Sequence, residues 1–252
     1  MLACATAAMA WGAAAADPIE RYEGIAYSRA DGSVLYRETH WRYRDGDFDR
    51  HLVLYGCADG TPFARKLLTV SSRDAAPDFD FYDARLDYRE GVNGSGARRV
   101  VYVQTRDDAV PKQAELELGV DDVVDAGFDD YLRSHWDAIT PRSPLHAAIV
   151  VPGRHAAVPV TIAEIDAGDS DVRHLRVQLN AWYRLIAPSM TLGYSRTDRR
   201  LYEFVGIGTI RGSDGRNLDV RIVFPPQRRD TSVDPQEALA AARLSLNGHC
   251  RP

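Results

Sequence analysis

Two histidines and a glutamate near the start of the chain have the types and spacing to do chemistry. Asp31-Gly32, Asp45-Gly46 and Asp59-Gly60 recur at equal steps. Asp-Gly is a favoured centre of a two-residue type I′ hairpin turn, because both central positions need φ > 0. Two-residue loops fix register. A loop centred on Asp45-Gly46 sets His40 directly opposite His51, and one centred on Asp31-Gly32 sets Glu23 opposite His40. Glu23, His40 and His51 then form one row on one side of a sheet, with opposed Cβ atoms about 4.5–5.5 Å apart. Two imidazoles and a carboxylate at that pitch could hold a metal, or poise a histidine for acid–base work. The bland alternative is a solvated Glu–His ladder, and one bulge in either hairpin would destroy the row.

The same register places Tyr27, Tyr36 and Tyr55 in a second row, with Glu38 and Lys66 flanking Val53. An aromatic row beside charges can line a ligand cavity or stand as an exposed cross-strand ladder. Trp182 falls on the polar side of its own strand, which marks a ligand or partner surface, or a place beneath a loop. Asp80 and Asp83 alternate onto opposite faces, so they do not form a shared acid–base pair. Asp166, Asp169 and Asp171 lack the spacing and terminal Glu of a calcium loop. No Gly-x-Ser-x-Gly elbow is present. Gly206-Ile207-Gly208 lacks the third glycine of a nucleotide fingerprint, and leaves a smooth strip where a helix or a ligand's chain could lie. The residues name no cofactor.

The elements that must position these groups are mostly strands. The turns predict a four-stranded antiparallel meander over 20–28, 34–43, 48–57 and 62–71. Further strands are expected at 79–88 and 98–105, around a Gly-rich turn. Val124, Phe128, Tyr131, Leu132 and Trp136 recur at helical steps, predicting a helix over 121–139 stopped by Pro141. Four prolines mark 141–159 as a crossover loop. Alternation predicts a strand over 175–185, and a hairpin of 201–210 with 218–224 around Asp214-Gly215. Asp234 before Pro235 predicts an N-capped short helix over 235–246. The fold expected is mainly β (α+β). It is a long, curved antiparallel sheet or open half-barrel, with one crossing helix and a short C-terminal helix.

Composition narrows the function classes. The 252 residues are 45% apolar and carry a net charge of −5, so no global basic field invites nucleic acid. Residues 1–16 are uncharged, apolar and end in a run of alanines, like the apolar core and cleavage site of a secretory leader without its basic start. The other reading is an Ala-rich tail. The remainder, 17–252, reads as a single β-rich domain. Loss of the leader would remove Cys4 and leave Cys57 and Cys250, either as a disulfide of an oxidising compartment or as two separate thiols. No later segment has the length and apolarity of a membrane helix. A transmembrane barrel is not expected, because the meander carries charge on both faces.

Tyr22-Glu23-Gly24, Tyr36-Arg37-Glu38-x-His40, Gly60-x-Pro62-Phe63-Ala64-Arg65-Lys66, Val124-Asp125-Ala126-Gly127-Phe128-Asp129 and Tyr202-x-Phe204-x-Gly206 are spread over most of the chain. With them the sequence resembles a group of exported bacterial proteins of unknown function. That resemblance implies export and supplies no active residues. In architecture the expected sheet is also similar to the periplasmic lipoprotein carriers, which hold acyl chains in an open half-barrel; this is a weak guide to function. The expectation is a periplasmic protein, more a binder than an enzyme, taking a lipid or other apolar ligand on the concave face through Tyr27, Tyr36, Tyr55 and Trp182. The alternatives are a metal-dependent or His-based enzyme using Glu23, His40 and His51, and a structural module for an envelope protein partner.

Overall fold

The computed structural model describes residues 19–70, 75–169, 171–179 and 189–250. Their strands join into one 16-stranded sheet. The first eight form a meander: β1 (Glu20–Ser28), β2 (Val34–Asp45), β3 (Phe48–Gly56), β4 (Pro62–Val70), β5 (Asp78–Asp83), β6 (Tyr88–Ser95), β7 (Arg98–Gln104) and β8 (Lys112–Glu117). The short β9 (Asp122–Val124) leads into the helix α1 (Gly127–Ser134). A second meander follows: β10 (Leu145–Val151), β11 (Ala156–Ile165), β12 (Val172–Leu179), β13 (Met190–Ser195), β14 (Leu201–Arg211) and β15 (Asn217–Val223). Pairing of β1 with β15 joins the two meanders. Among the described residues every pairing is antiparallel except β9 with β10. A two-residue strand, β16 (Arg229–Asp230), adds to β1, and α2 (Pro235–Ala241) follows. The sheet is open, with β8 and β9 at its ends. It curls enough for the His155 ring, beyond β10, to come within 3.2 Å of the Lys112 carbonyl on β8.

Alternation along the strands splits the burial between two faces. On the concave side Tyr36, Phe63, Leu68 and Phe81 fill the first meander. Leu132 of α1 packs with Ile162, Leu175 and Tyr194 of the second. On the convex side Trp41 and Leu52 are covered by Ala238 and Ala241 of α2. Asp234 caps that helix as expected, its carboxylate accepting from the Gln236 N–H at 2.8 Å. A disulfide joins Cys57 to Cys250, and beside it the Asn247 N–H donates to the Pro62 carbonyl.

Several element boundaries differ from expectation: the helix expected over 235–246 ends at Ala241, and of the strand expected over 175–185 the part to Leu179 lies in β12 while 180–185 fall outside the described residues. The stretch 79–88 is parts of two strands, β5 and β6, turning at 84–87 with Asp87 at φ 48°. The proline-rich 141–159 is no loop: it holds β10, a single 3₁₀ turn at Pro152–Arg154 and the start of β11. The helix expected over 121–139 shrinks to α1, because 122–124 are drawn into the sheet and Asp125, at φ 46°, breaks the helical path. It still crosses the concave face.

Candidate functional site

The two hairpins that carry the histidines depart from the expected turns in different ways. Between β2 and β3, Asp45 pairs directly with Phe48. The loop is therefore Gly46-Asp47, and Gly46 at φ 60° suits the first position of a type II′ turn. Register moves by two residues, which keeps every side chain on its face. His40 now stands opposite Val53, and His51 opposite Arg42. The imidazoles meet on the diagonal, with His40 Nδ1 2.9 Å from His51 Nε2.

Between β1 and β2 the loop is longer, and Gly32 N–H donates to the Ser28 carbonyl while Ser28 N–H donates to Ser33. A bulge at Ala26/Tyr27 leaves the rest of the pair one residue out of the expected register. Tyr22 thus faces His40, and Glu23 faces Thr39. Glu23 points to the other side of the sheet, where Arg228 Nη1 donates to it at 2.5 Å. It is not part of a His40–His51 site, and the three-residue metal row is not formed. Among the described residues no group of three His, Cys, Asp or Glu side chains is arranged to hold a metal ion.

Glu38 takes the place expected of Glu23. Its Oε2 accepts from His40 Nε2 at 3.0 Å, and both side chains are buried. On the other side, the Tyr22 hydroxyl lies 3.3 Å from His51 Nε2, and its ring stacks on His40 at 4.4 Å. A continuous polar path therefore runs Glu38, His40, His51, Tyr22. The second expected row is also rearranged. Tyr36 and Tyr55 are both buried, with ring centroids 6.2 Å apart. Tyr27 lies beyond the bulge, paired with Val34 and Arg221, away from the other two. Val53 is flanked by His40 and Lys66, and Glu38 stands opposite Tyr55. Trp182 falls outside the described residues.

This path forms one wall of a cavity of about 350 Å³ between the concave face and α1. Phe128 closes it from the helix, and Val53, Tyr55, Leu192, Phe204 and Phe224 supply the sheet side. Gly24 makes room for that aromatic wall, since a Cβ there would lie 2.6 Å from the Phe224 ring. Of the glycine strip, Gly208 lines the cavity while Gly206 is packed under Met190. The β14 backbone bulges here, and Asn217 Nδ2 donates to the Gly208 and Thr209 carbonyls to hold it.

Charges around the cavity are paired. Lys66, 4% exposed, donates to both oxygens of Asp125 at 2.7 and 2.9 Å and to Thr209 at 3.2 Å. Arg42 reaches Asp130 at 2.9 Å, and Arg133 reaches the same carboxylate at 2.6 Å. Burial pushes the Asp129 carboxyl up, partly offset by Arg133 and Arg42. Burial also pushes the Tyr22 phenol up. His51 is held well below the ordinary histidine range, first by burial and then by His40, Arg42, Lys66 and Arg133.

A neutral His51 carries one N–H. With His40 donating through Nε2 to Glu38, His40 Nδ1 is free to accept from His51 Nε2. A proton taken up at His51 Nδ1 can then pass through Nε2 to His40, leaving an imidazolium paired with Glu38. The arrangement can act as a base with its charge stabilised one residue away. The cations around His51 oppose a metal ion at the same nitrogen. The turn spacing places Glu38 on this face but not Tyr22, since only the bulge at Ala26/Tyr27 brings Tyr22 round. Among the described residues no helix is long and apolar enough to cross a membrane. No protein-family model matches the chain, and no curated protein sequence matches it.

Proposed function

We propose that this chain is an exported, non-enzymatic protein that holds an apolar ligand, such as a lipid, between its concave sheet and α1. The observation that carries this reading is the cavity itself, walled by Phe128, Leu192, Phe204 and Phe224. Its volume lies within the ~300–1,000 Å³ of small-ligand sites. The disulfide is consistent with an oxidising compartment.

The test is native mass spectrometry of protein purified from its own host, followed by titration with an environment-sensitive acyl probe. A co-purifying lipid and saturable probe binding are expected. Ile207→Trp and Leu192→Trp, which fill the cavity from two strands, should each weaken the probe at least about tenfold. Overpacking costs typically about 1–3 kcal/mol, so urea unfolding checks that both variants still fold. Equal binding by the wild type and both folded variants defeats the reading.

One observation favours a second reading: the Glu38–His40–His51 path opens on the cavity. A histidine so supported could abstract a proton from a bound molecule. In that case the ligand would be released chemically altered by the wild type and unaltered by His51→Gln.

A further inference from the structure

The apolar cavity does not end at a closed wall. Glu20, Arg42, His51 and Arg133 line it, and the same four residues line a second cleft of about 550 Å³. The two spaces differ in chemistry. The second carries the guanidinium groups of Arg42, Arg44, Arg50 and Arg133 against the carboxylates of Glu20, Asp49 and Asp130. Glu20 is already neutralised, because Arg229 and Arg200 reach it at 2.6 and 3.2 Å. Arg42 and Arg133 share Asp129 and Asp130, and over the two linings together seven Arg and Lys side chains stand against six carboxylates, a surplus of one cation in a chain whose net charge is −5.

From this juxtaposition we infer that the ligand is a single-chain amphiphile with an anionic oxygen headgroup, seated where Arg42, Arg133 and His51 divide the two cavities. The inference rests on the apolar-ligand reading above and names the ligand's class. An apolar chamber opening on a cation-rich cleft accommodates a tail in the first and a head in the second. A volume of about 350 Å³ suits one acyl chain and not two.

The junction also has donors to offer. Arg133 reaches Asp129 and Asp130 through Nη2, at 3.0 and 2.6 Å. A guanidinium has five N–H donors, and its planar fork matches a carboxylate or phosphate. The charged groups acting most strongly on His51 are His40 and Arg42 of β2, Lys66 of β4 and Arg133 of α1, with Asp129 and Asp130 of α1 behind Arg42 and Arg133 and Glu38 of β2 behind His40. The three permanent charges that act most strongly are all cations, so the potential at the His51 ring favours an anion. Tyr22 adds a hydroxyl on the β1 side.

The experiment titrates the full chain with dodecanoate, dodecyl phosphate, dodecanol and dodecylamine, which share one tail, with acetate as a head without a tail, and with vesicles of a two-chain anionic phospholipid. Dodecanoate or dodecyl phosphate should bind at least about tenfold tighter than dodecanol, and the margin should shrink with added salt. Which of the two anions binds tighter identifies the head as carboxylate or phosphate. Arg133→Gln should erase most of the margin between the anions and dodecanol. Arg44→Gln, at the exposed rim and away from the α1 pairs, should reduce it in the same direction if Arg133→Gln fails to fold. Equal or tighter binding of dodecanol or dodecylamine overturns the inference while sparing the apolar-ligand reading. Preference for the two-chain lipid overturns the single-chain claim. Binding of none of the tailed compounds defeats both readings together.

Discussion

His51 is a half-buried imidazole flanked by cations, and its behaviour with pH can be worked out from that setting. Burial and the neighbouring His40, Arg42, Lys66 and Arg133 hold its pKa well below the ordinary value near 6.5. Between the folded and unfolded values the unfolded chain binds the extra proton, so stability rises with pH there. The contribution of His51 is therefore fully present above about pH 6.5. It is lost progressively as pH falls from there through the folded-state value, at up to about 1.4 kcal/mol per pH unit. Urea unfolding at a series of pH values should show this decline in the wild type and a flatter profile in His51→Gln. Parallel profiles would mean that His51 titrates normally. The meeting of His40 with His51 was legible in the sequence because moving the loop by one residue shifts the pairing register by two, which preserves faces. Glu23 was not, since a one-residue slip exchanges them. Loop length and the bulge at Ala26/Tyr27 decide between these outcomes, since Gly46 and Gly32 both adopt positive φ.

At the scale of elements, the first meander was legible because turn chemistry punctuates it, and β1 through β4 begin where the Asp-Gly pattern put them. The β10–β11 hairpin was hidden by its prolines. Pro152 opens the connecting 3₁₀ turn, and Pro159 pairs with Ala148 but lies beyond the last described β12 partner of β11. The α1 boundary was hidden by tertiary forces: parallel pairing claims 122–124, and Lys66 of β4 claims Asp125 at the joint. That ion pair is an element-level latch between the sheet and the helix that roofs the cavity. Asp125→Asn keeps a residue tolerant of φ near 46° but strands the Lys66 ammonium. Removing one partner of a buried pair costs about 3–5 kcal/mol, and urea unfolding should show a loss near the lower end, Asp125 being 17% exposed. A loss below about 1 kcal/mol would place the pair among solvent-screened surface bridges.

For the whole molecule, the decisive pairing is β1 with β15, which sets Ile25 beside Val223 and makes one sheet of two meanders. No turn dictates it, so nothing local in the sequence announces it. It joins two strands that would otherwise each stand as a sheet edge. The cavity straddles this seam, since His40 and Val53 come from one meander and Leu192, Phe204 and Ile222 from the other. A ligand there touches both halves, and its binding energy must appear in the stability of both. At a free ligand concentration of 100 times Kd the gain is about 2.7 kcal/mol. Amide hydrogen exchange with saturating dodecanoate should therefore slow in β2 and β3 and also in β13 and β14, while the convex α2 changes little. Protection confined to one meander would place the ligand elsewhere than across the seam. Equal protection of α2 would point to a general rise in stability instead of contact, because that helix packs on Trp41 and Leu52 on the opposite face.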